Sequence, residues 1–397
     1  MNTQPSRGQY DIIIIGGAIM GSSTAWFLMD AGFSGSVLVI ERDPTYSACS
    51  TAHTNSCMRQ QFSTELNVRI SQFAAEFVTS LPERMGGDAP RLAIQNFGYM
   101  YLADNDVAAQ VLRTNARIQH AADAQTQLMT PDEIAKAYPF YDLDGIVLGS
   151  INTKDEGYFD GAAVFDWWRR EAQRRGVEYV SGEVAGIDVA NGRVRGVVLV
   201  DGTRIGCGQL VNATGPRAAR TAAMAGLELP VEPRKRYTYV FKAENPLDRP
   251  LPLTIDPSGV HVREVGGGTY QAGGHRSHDP AVQPDDFAMD FGFWEEEVWP
   301  AIATRIPAFE AVKVTAEWAG HYAMNTFDHN AVLGPHPDVP NFLFLNGFSG
   351  HGLQQSPAMG RGTAEWLIHG AYQTLDLTPF HWDRLRTGIA VPETAVI

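Results

Sequence analysis

Residues 47 to 62, SACSTAHTNSCMRQQF, bring a histidine, two cysteines and an arginine into one short polar segment. That segment follows closely on GGAIMG, in which Gly16, Gly17 and Gly21 stand between an apolar run and a stretch with apolar residues at helical spacing. Glycines there allow a tight turn, close approach to a pyrophosphate and tight helix–strand packing, and the helix N-terminus stabilises phosphates. In the GxGxxG register Gly16 and Gly21 match, while Ala18 replaces the middle glycine. Glu41 lies 20 residues beyond Gly21 at the end of a second apolar run, where a carboxylate can accept hydrogen bonds from a ribose hydroxyl. A tight β-α turn followed by a surface glutamate is the plainer alternative.

The elements that must position these residues are legible in outline. YDIIIIGGAIMGSSTAWFLMDAG reads as buried strand, turn and helix, and SVLVIERD as a second buried strand. Helical spacing returns from Glu65 to about Leu81; FGYMYLAD then reads as a strand and TPDEIAKAYP as a capped short helix. GAAVFDWWRREAQRRG is an amphipathic helix stopped by Gly176. Alternation between Asn-Gly and Asp-Gly turns predicts an antiparallel meander and a buried strand ending in LVNATG, and a second strand-rich block precedes Trp318. The end of the chain repeats strand, Gly-rich turn and helix. The nucleotide domain is therefore expected to be discontinuous, over 1–87, 155–232 and 318–397, with a second sheet domain from 88–154 and 233–317.

Composition narrows the function classes. A chain of 397 residues with 44% hydrophobic residues suits two interleaved α/β domains. The net charge of −14 comes without a long like-charge run, which points to a solvated acidic surface and away from nucleic acid. Three cysteines without metal-ligand spacing imply neither a disulfide framework nor a metal site. The early run DIIIIGG falls far short of the ~20 residues a membrane helix needs, so a soluble, cytoplasmic protein with no membrane span is expected.

The second apolar strand runs into the polar segment instead of a further β-α unit, and there the chain resembles the D-amino acid oxidase superfamily of FAD oxidoreductases. The likeness is strongest to its sarcosine oxidase and dimethylglycine dehydrogenase branch and to the mitochondrial FAD-dependent oxidoreductase domain proteins. It rests on IIIIGGAIMGSSTAW with ERD, the Ser/Thr-rich segment ending in MRQQF, LVNATGP at 210–216, and GFSGHGLQQSPAMGR at 347–361 with WAGHYAMNTFDHNAVLG before it. The fold implied is α/β: a Rossmann-like, discontinuous FAD-binding domain with an inserted antiparallel-sheet α+β substrate domain, of the glutathione-reductase and D-amino acid oxidase type.

The resemblance also implies a cofactor, FAD, and a set of residues. Gly16, Gly17, Ala18, Met20, Gly21, Glu41 and Arg42 would hold the nucleotide; Ser50, Thr51 and His53 would pack beside the flavin. Ala213, Thr214 and Gly215 would lie near the pyrophosphate and ribitol. Negative charge gathers at one edge of a flavin that accepts hydride, so donors are needed there. Gly347, Ser349, Gly350, His351, Gly352, Leu353 and Gln354, leading into a helix N-terminus, would supply them. Arg59 sits where sarcosine oxidase-like members clamp the substrate carboxylate, a task that suits a permanently charged, bidentate guanidinium; a salt bridge on the following helix is the alternative. His53 either attaches FAD covalently, as in dimethylglycine dehydrogenase-like members, or lines the flavin site. His351 either lines the ring and positions substrate or caps the helix. Gln354 departs from the lysine of some sarcosine oxidases. Tyr99, Tyr101, Tyr237, Tyr239, Tyr270 and His275 are the remaining aromatic and imidazole candidates for the pocket.

The activity implied is oxidation of the C–N bond of a secondary or N-substituted amine or amino acid bearing an anionic group. Hydride passes to flavin N5 and water hydrolyses the imine. Oxygen, a quinone or an electron-transfer flavoprotein would reoxidise the cofactor. Two alternatives stay open: an FAD-dependent 2-hydroxy acid dehydrogenase, and a non-catalytic flavoprotein that serves as an assembly or binding factor.

Overall fold

The computed structural model describes residues 1–395. Strand β1 (Gln9–Ile15) is buried from Ile12 to Ile15, as a central parallel strand must be. It turns through Gly16 into helix α1 (Ile19–Asp30), and the chain returns as β2 (Val37–Glu41), parallel to β1. Across this sheet the order is Val332–His336, Val339–Asn346, Arg204–Asn212, β1, β2, Glu178–Ser181, with the meander strands Val184–Ala190 and Arg193–Leu199 attached to Arg204–Asn212. Strands Val339–Asn346, Arg204–Asn212, β1 and β2 are mutually parallel neighbours. Their C-terminal ends therefore lie side by side, and the loops after Ile15, Asn212 and Asn346 emerge at one edge although the sequence separates them widely.

Helix α1 is buried from Ile19 to Leu28. It lies so close to the final long helix, Gly352–His369, that a Cβ at Gly360 would come 1.9 Å from Ser23 Oγ. Trp26, Phe27, Phe77 and Trp168 pack as a tilted and edge-on aromatic cluster beneath it.

The second sheet runs Val312–Asn325, Val231–Ala243, Thr269–Gly274, His261–Gly266, Leu253–Ile255, Tyr99–Ala103, Leu148–Asn152, Gln127–Met129. Where an antiparallel sheet is expected, one pair departs: Leu253–Ile255 runs parallel to Tyr99–Ala103. The strands come from two different inserts, so no hairpin forces them to alternate. Val231–Ala243 and Val312–Asn325 pair along their whole length with one bulge at Val240–Phe241. Val231 packs in the core of the first sheet and Phe241 in that of the second, so this long ribbon ties the two together. The capping box expected at Thr130 and Glu133 is present. No helix among the described residues is long and apolar enough to cross a membrane.

Candidate active site

The turn after β1 tolerates little but glycine at two places. Gly16 has φ +97°, and a Cβ on it would stand 2.5 Å from the Ala213 carbonyl oxygen; a Cβ on Gly21 would stand 1.9 Å from the Gly16 carbonyl oxygen. Ala18 occupies the N-cap position in an ordinary extended conformation and makes no side-chain cap hydrogen bond. Ile19 N–H in the first turn donates to Thr51 Oγ1 at 3.4 Å, and the positive end of α1 lies beside the loop. Glu41 is buried and accepts from Gly17 N–H and Asp43 N–H, both at 2.8 Å. Burial raises its pKa above the ordinary carboxylate value.

A cavity of about 410 Å³ runs from this loop to the second sheet. Of the residues expected at the cofactor, all but Gly17, Gly21 and Gly347 line it, and those three shape backbone behind the wall. Arg42 lines it with its guanidinium 3.1 Å from Asp285. At the inner end Gly350 has φ +93°, and a Cβ there would strike the Tyr322 ring at 2.3 Å. Beyond it starts helix Gly352–His369, with His351 at its N-cap and no side-chain cap bond. Two helix N-termini, a glycine cradle and a buried carboxylate suit a dinucleotide with a ring system at the inner end, and FAD meets that description.

Arg59 is 2% exposed, aimed inward by the two-residue pairing of Cys57–Met58 with Gly157–Tyr158. Gln354 holds its backbone, accepting from Arg59 N–H at 2.8 Å. The guanidinium donates to the carbonyls of Gln61 and Ala395 and to His351 Nε2 at 3.0 Å, with Phe62 4.0 Å beneath it. These hydrogen-bond partners are uncharged. The contrast is Arg236, also on the cavity wall, whose two terminal nitrogens each stand 3.0 Å from Asp279. Because a guanidinium only donates, His351 Nε2 accepts and its proton lies on Nδ1. Burial, then the charge of Arg59, hold its pKa well below the usual value.

Two further segments fix Arg59. Glu393, 1% exposed, sits at the N-terminus of helix Glu65–Thr79, accepting from Ser63 N–H at 2.9 Å, Thr64 Oγ at 3.0 Å and Asn67 Nδ2 at 2.9 Å. That seat brings the Ala395 carbonyl to Arg59. Glu156, fully buried, accepts from Gln60 N–H at 2.6 Å, Gln61 N–H at 3.1 Å, Asn152 Nδ2 at 3.1 Å and Gln61 Nε2 at 3.0 Å. Burial pushes its pKa up to about 8 against the pull of those donors and Arg59.

The native state therefore keeps a proton on Glu156 over a range in which the unfolded chain, with an ordinary value near 4.5, has lost it. This contribution to stability falls as pH rises from about 4.5 to 8, at no more than about 1.4 kcal/mol per pH unit. Urea unfolding of wild type and Glu156→Gln across that window is expected to show the slope in wild type alone. Equal slopes would mean an ionised Glu156 throughout.

His53 ends the short turn Ser50–His53, its Nδ1 3.0 Å from the Cys49 carbonyl and its ring stacked on Phe287 at 5.2 Å. Tyr99 and Tyr237 line the cavity. Tyr270 does not: it is 1% exposed, packed between Phe241 and Phe309, and its hydroxyl accepts from Leu247 N–H at 2.8 Å. Strand parity explains this, since Gln271 on the same strand reaches Asn55 on the cavity wall and its neighbour must face the other way. His275 lies past the end of that strand and bonds the Arg276 carbonyl at 2.8 Å, away from the cavity. Tyr101 and Tyr239 are likewise outside the lining. His261, Asn55, Arg236, His321 and Tyr322 do line it, and no local spacing in the sequence marks them.

The family model DAO, described as FAD dependent oxidoreductase, matches residues 11–366. The chain is 37% identical to FAD-dependent oxidoreductase domain-containing protein 1 of Xenopus laevis, over 94% of this chain and 82% of that protein. It is 27% identical to sarcosine oxidase subunit beta of Rhizobium meliloti, over 98% and 91%. Among solved structures, L-proline dehydrogenase from P. horikoshii superposes with a TM-score of 0.83 at 27% identity, covering 98% of this chain and 99% of that one.

Proposed function

The chain belongs to the DAO family of FAD-dependent oxidoreductases, and on that footing we propose that it oxidises the carbon–nitrogen bond of a secondary or N-substituted amine carrying an acidic group. The observation that carries this reading is Arg59: a buried guanidinium on the cavity wall whose hydrogen-bond partners are all neutral. An anionic ligand would give that buried charge a counter-ion that its neutral hydrogen-bond partners do not. Two relatives are named for such compounds, sarcosine and L-proline, each a secondary amine with a carboxylate.

Arg59 would take the carboxylate, and Gln354 and the Glu393 seat would keep it in place. The aromatic wall of Tyr99, Tyr237 and Tyr322 would exclude water from the rest of the substrate. FAD, when bound, supplies the two-electron acceptor. The substrate reacts with its nitrogen unprotonated, because that lone pair forms the new C=N bond as the carbon loses hydride. His351, uncharged between Arg59 and the helix N-terminus, adds no cation to oppose such an amine. Much of the rate then comes from holding the carbon in place.

Product analysis tests the reading. Turnover of an N-methyl or cyclic amino acid is expected to yield a carbonyl compound after hydrolysis of the imine, with the nitrogen recovered as a freed amine in equal amount, or retained as a new primary amine in the ring-opened product. Turnover of 2-hydroxy acids, with no amine released from any substrate, would contradict it.

The link to FAD is expected to be non-covalent, because the His53 ring is already held by Phe287 and the Cys49 carbonyl. Acid precipitation should leave the yellow colour in the supernatant; colour in the pellet that His53→Ala abolishes would show attachment.

A further inference from the structure

Strand Thr269–Gly274 of the second sheet is joined to the helical turn at Phe291 by a long connection, 275–290, that forms no helix and no strand beyond a single bridge from Ala281 to Arg234. Connections of that length in a compact fold are commonly binding loops or lids. This one is tied to the ribbon strand Val231–Ala243, where Val282 N–H donates to the Pro233 carbonyl at 2.9 Å and Lys235 Nζ donates to the Asp286 carboxylate at 2.6 Å. It also reaches the loops of the first sheet. Asp285 takes Arg42, which follows β2, at 3.1 Å, and takes Arg217, which follows strand Arg204–Asn212; Gln283 accepts from Arg220.

All three arginines line the cavity, and Pro284, buried between Gln283 and Asp285, lines it with them. Phe287 then stacks on the His53 ring at 5.2 Å and packs on His321 at 4.5 Å, two more residues of the wall. The segment therefore bridges the two sheets along one side of the cavity. Its ionic tie is open to solvent, because the Asp285 side chain is 59% exposed. Exposed ion pairs hold weakly, and more weakly as salt rises, so a tie of this kind can open and close.

Resting on FAD as the cofactor and not on the choice of amine, we propose that residues 282–287 form a latch over the nucleotide part of the cavity, closed by Asp285 on Arg42 and Arg217, which must open for FAD to enter or leave.

Asp285 gives the latch a signature. A carboxylate repels an anionic dinucleotide, and this one occupies two guanidinium groups that phosphates would otherwise attract. On Coulombic grounds alone, neutralising it should tighten FAD binding and slow release. A latch reverses the sign for release: with the tie cut, the ways in and out open together, so entry and exit both speed up and the equilibrium changes little.

The test dilutes FAD-loaded wild type and Asp285→Asn, follows the fluorescence of released FAD, and measures Kd by equilibrium dialysis. Asp285→Asn is expected to release FAD roughly 5-fold faster, the loss of two exposed ion pairs, with Kd within about 2-fold of wild type. Asp285→Glu, which keeps the charge, should stay near wild type. Raising salt from about 50 to 500 mM should speed release from wild type and affect Asp285→Asn much less. Unchanged or slower release from Asp285→Asn would overturn the proposal. Faster release with an equal rise in Kd would overturn it too, making Asp285 a support of bound FAD. So would FAD that wild type does not release at all. None of these outcomes bears on Arg59 or the amine, so the latch and the proposed reaction fail separately.

Discussion

Replacing Arg59 by methionine is expected to lower kcat/KM for an anionic amine by roughly 10²–10³-fold, the usual consequence of removing one partner of a buried charge pair. The corresponding neutral ester should lose far less, because it never used the charge. Arg59→Lys should fall between the two: a cation remains, but the planar set of donors that Gln61, His351 and Ala395 hold in place is gone. FAD content must be measured as well, since His351 and Gln354, which bond Arg59, also line the cavity expected to hold the cofactor. The substitution also leaves the carbonyls of Gln61 and Ala395 without a donor, at about 1–3 kcal/mol for each one that stays buried. Melting curves must therefore accompany the kinetics. An equal loss for acid and ester would assign Arg59 to structure alone.

The second large effect concerns the cofactor. Gly21→Ala is expected to yield protein that binds FAD at least ~10²-fold more weakly and purifies largely colourless, a change of about 3 kcal/mol. Its Cβ would lie 1.9 Å from the Gly16 carbonyl oxygen and 3.1 Å from that carbonyl carbon, both backbone atoms of the turn. Relief requires the loop or α1 to move, and α1 is pinned by the final helix through Ser23 Oγ and the Ser356 carbonyl at 2.7 Å. Gly17→Ala is the control. Its Cβ would meet side chains at 3.0 Å or more, so FAD retention should be much better than in Gly21→Ala. Equal retention by the two variants would mean that the turn is softer than its contacts indicate.

The parts of this arrangement visible in the sequence are those carried by local pattern. Apolar runs ending in glycine or small residues at Ile15, Asn212 and Asn346 are three parallel strands, and parallel neighbours bring the turns after them together. Their convergence follows from strand direction alone. Tyr270 shows where the pattern fails: in a strand buried on both faces, an aromatic residue gives no sign of which side is the cavity, and the neighbouring Gln271 holds the polar contact. The partners of Arg59 were not legible either, because Gln354, His351 and Ala395 lie about 300 residues away and meet it only through tertiary packing. The same holds for His261, whose orientation depends on Asn55, some 200 residues earlier. Glu393 reads as an ordinary surface carboxylate until its four donors at the start of a distant helix are seen.

The most direct test of the central claim is anaerobic mixing of the FAD-loaded protein with N-methyl amino acids, cyclic secondary amino acids, primary amino acids and 2-hydroxy acids. The flavin absorbance at about 450 nm is followed in each case. Rapid bleaching by a secondary amine bearing a carboxylate, slowed strongly by Arg59→Met, is the expected result. Bleaching by 2-hydroxy acids alone, or by none of these compounds while FAD stays bound, would contradict it.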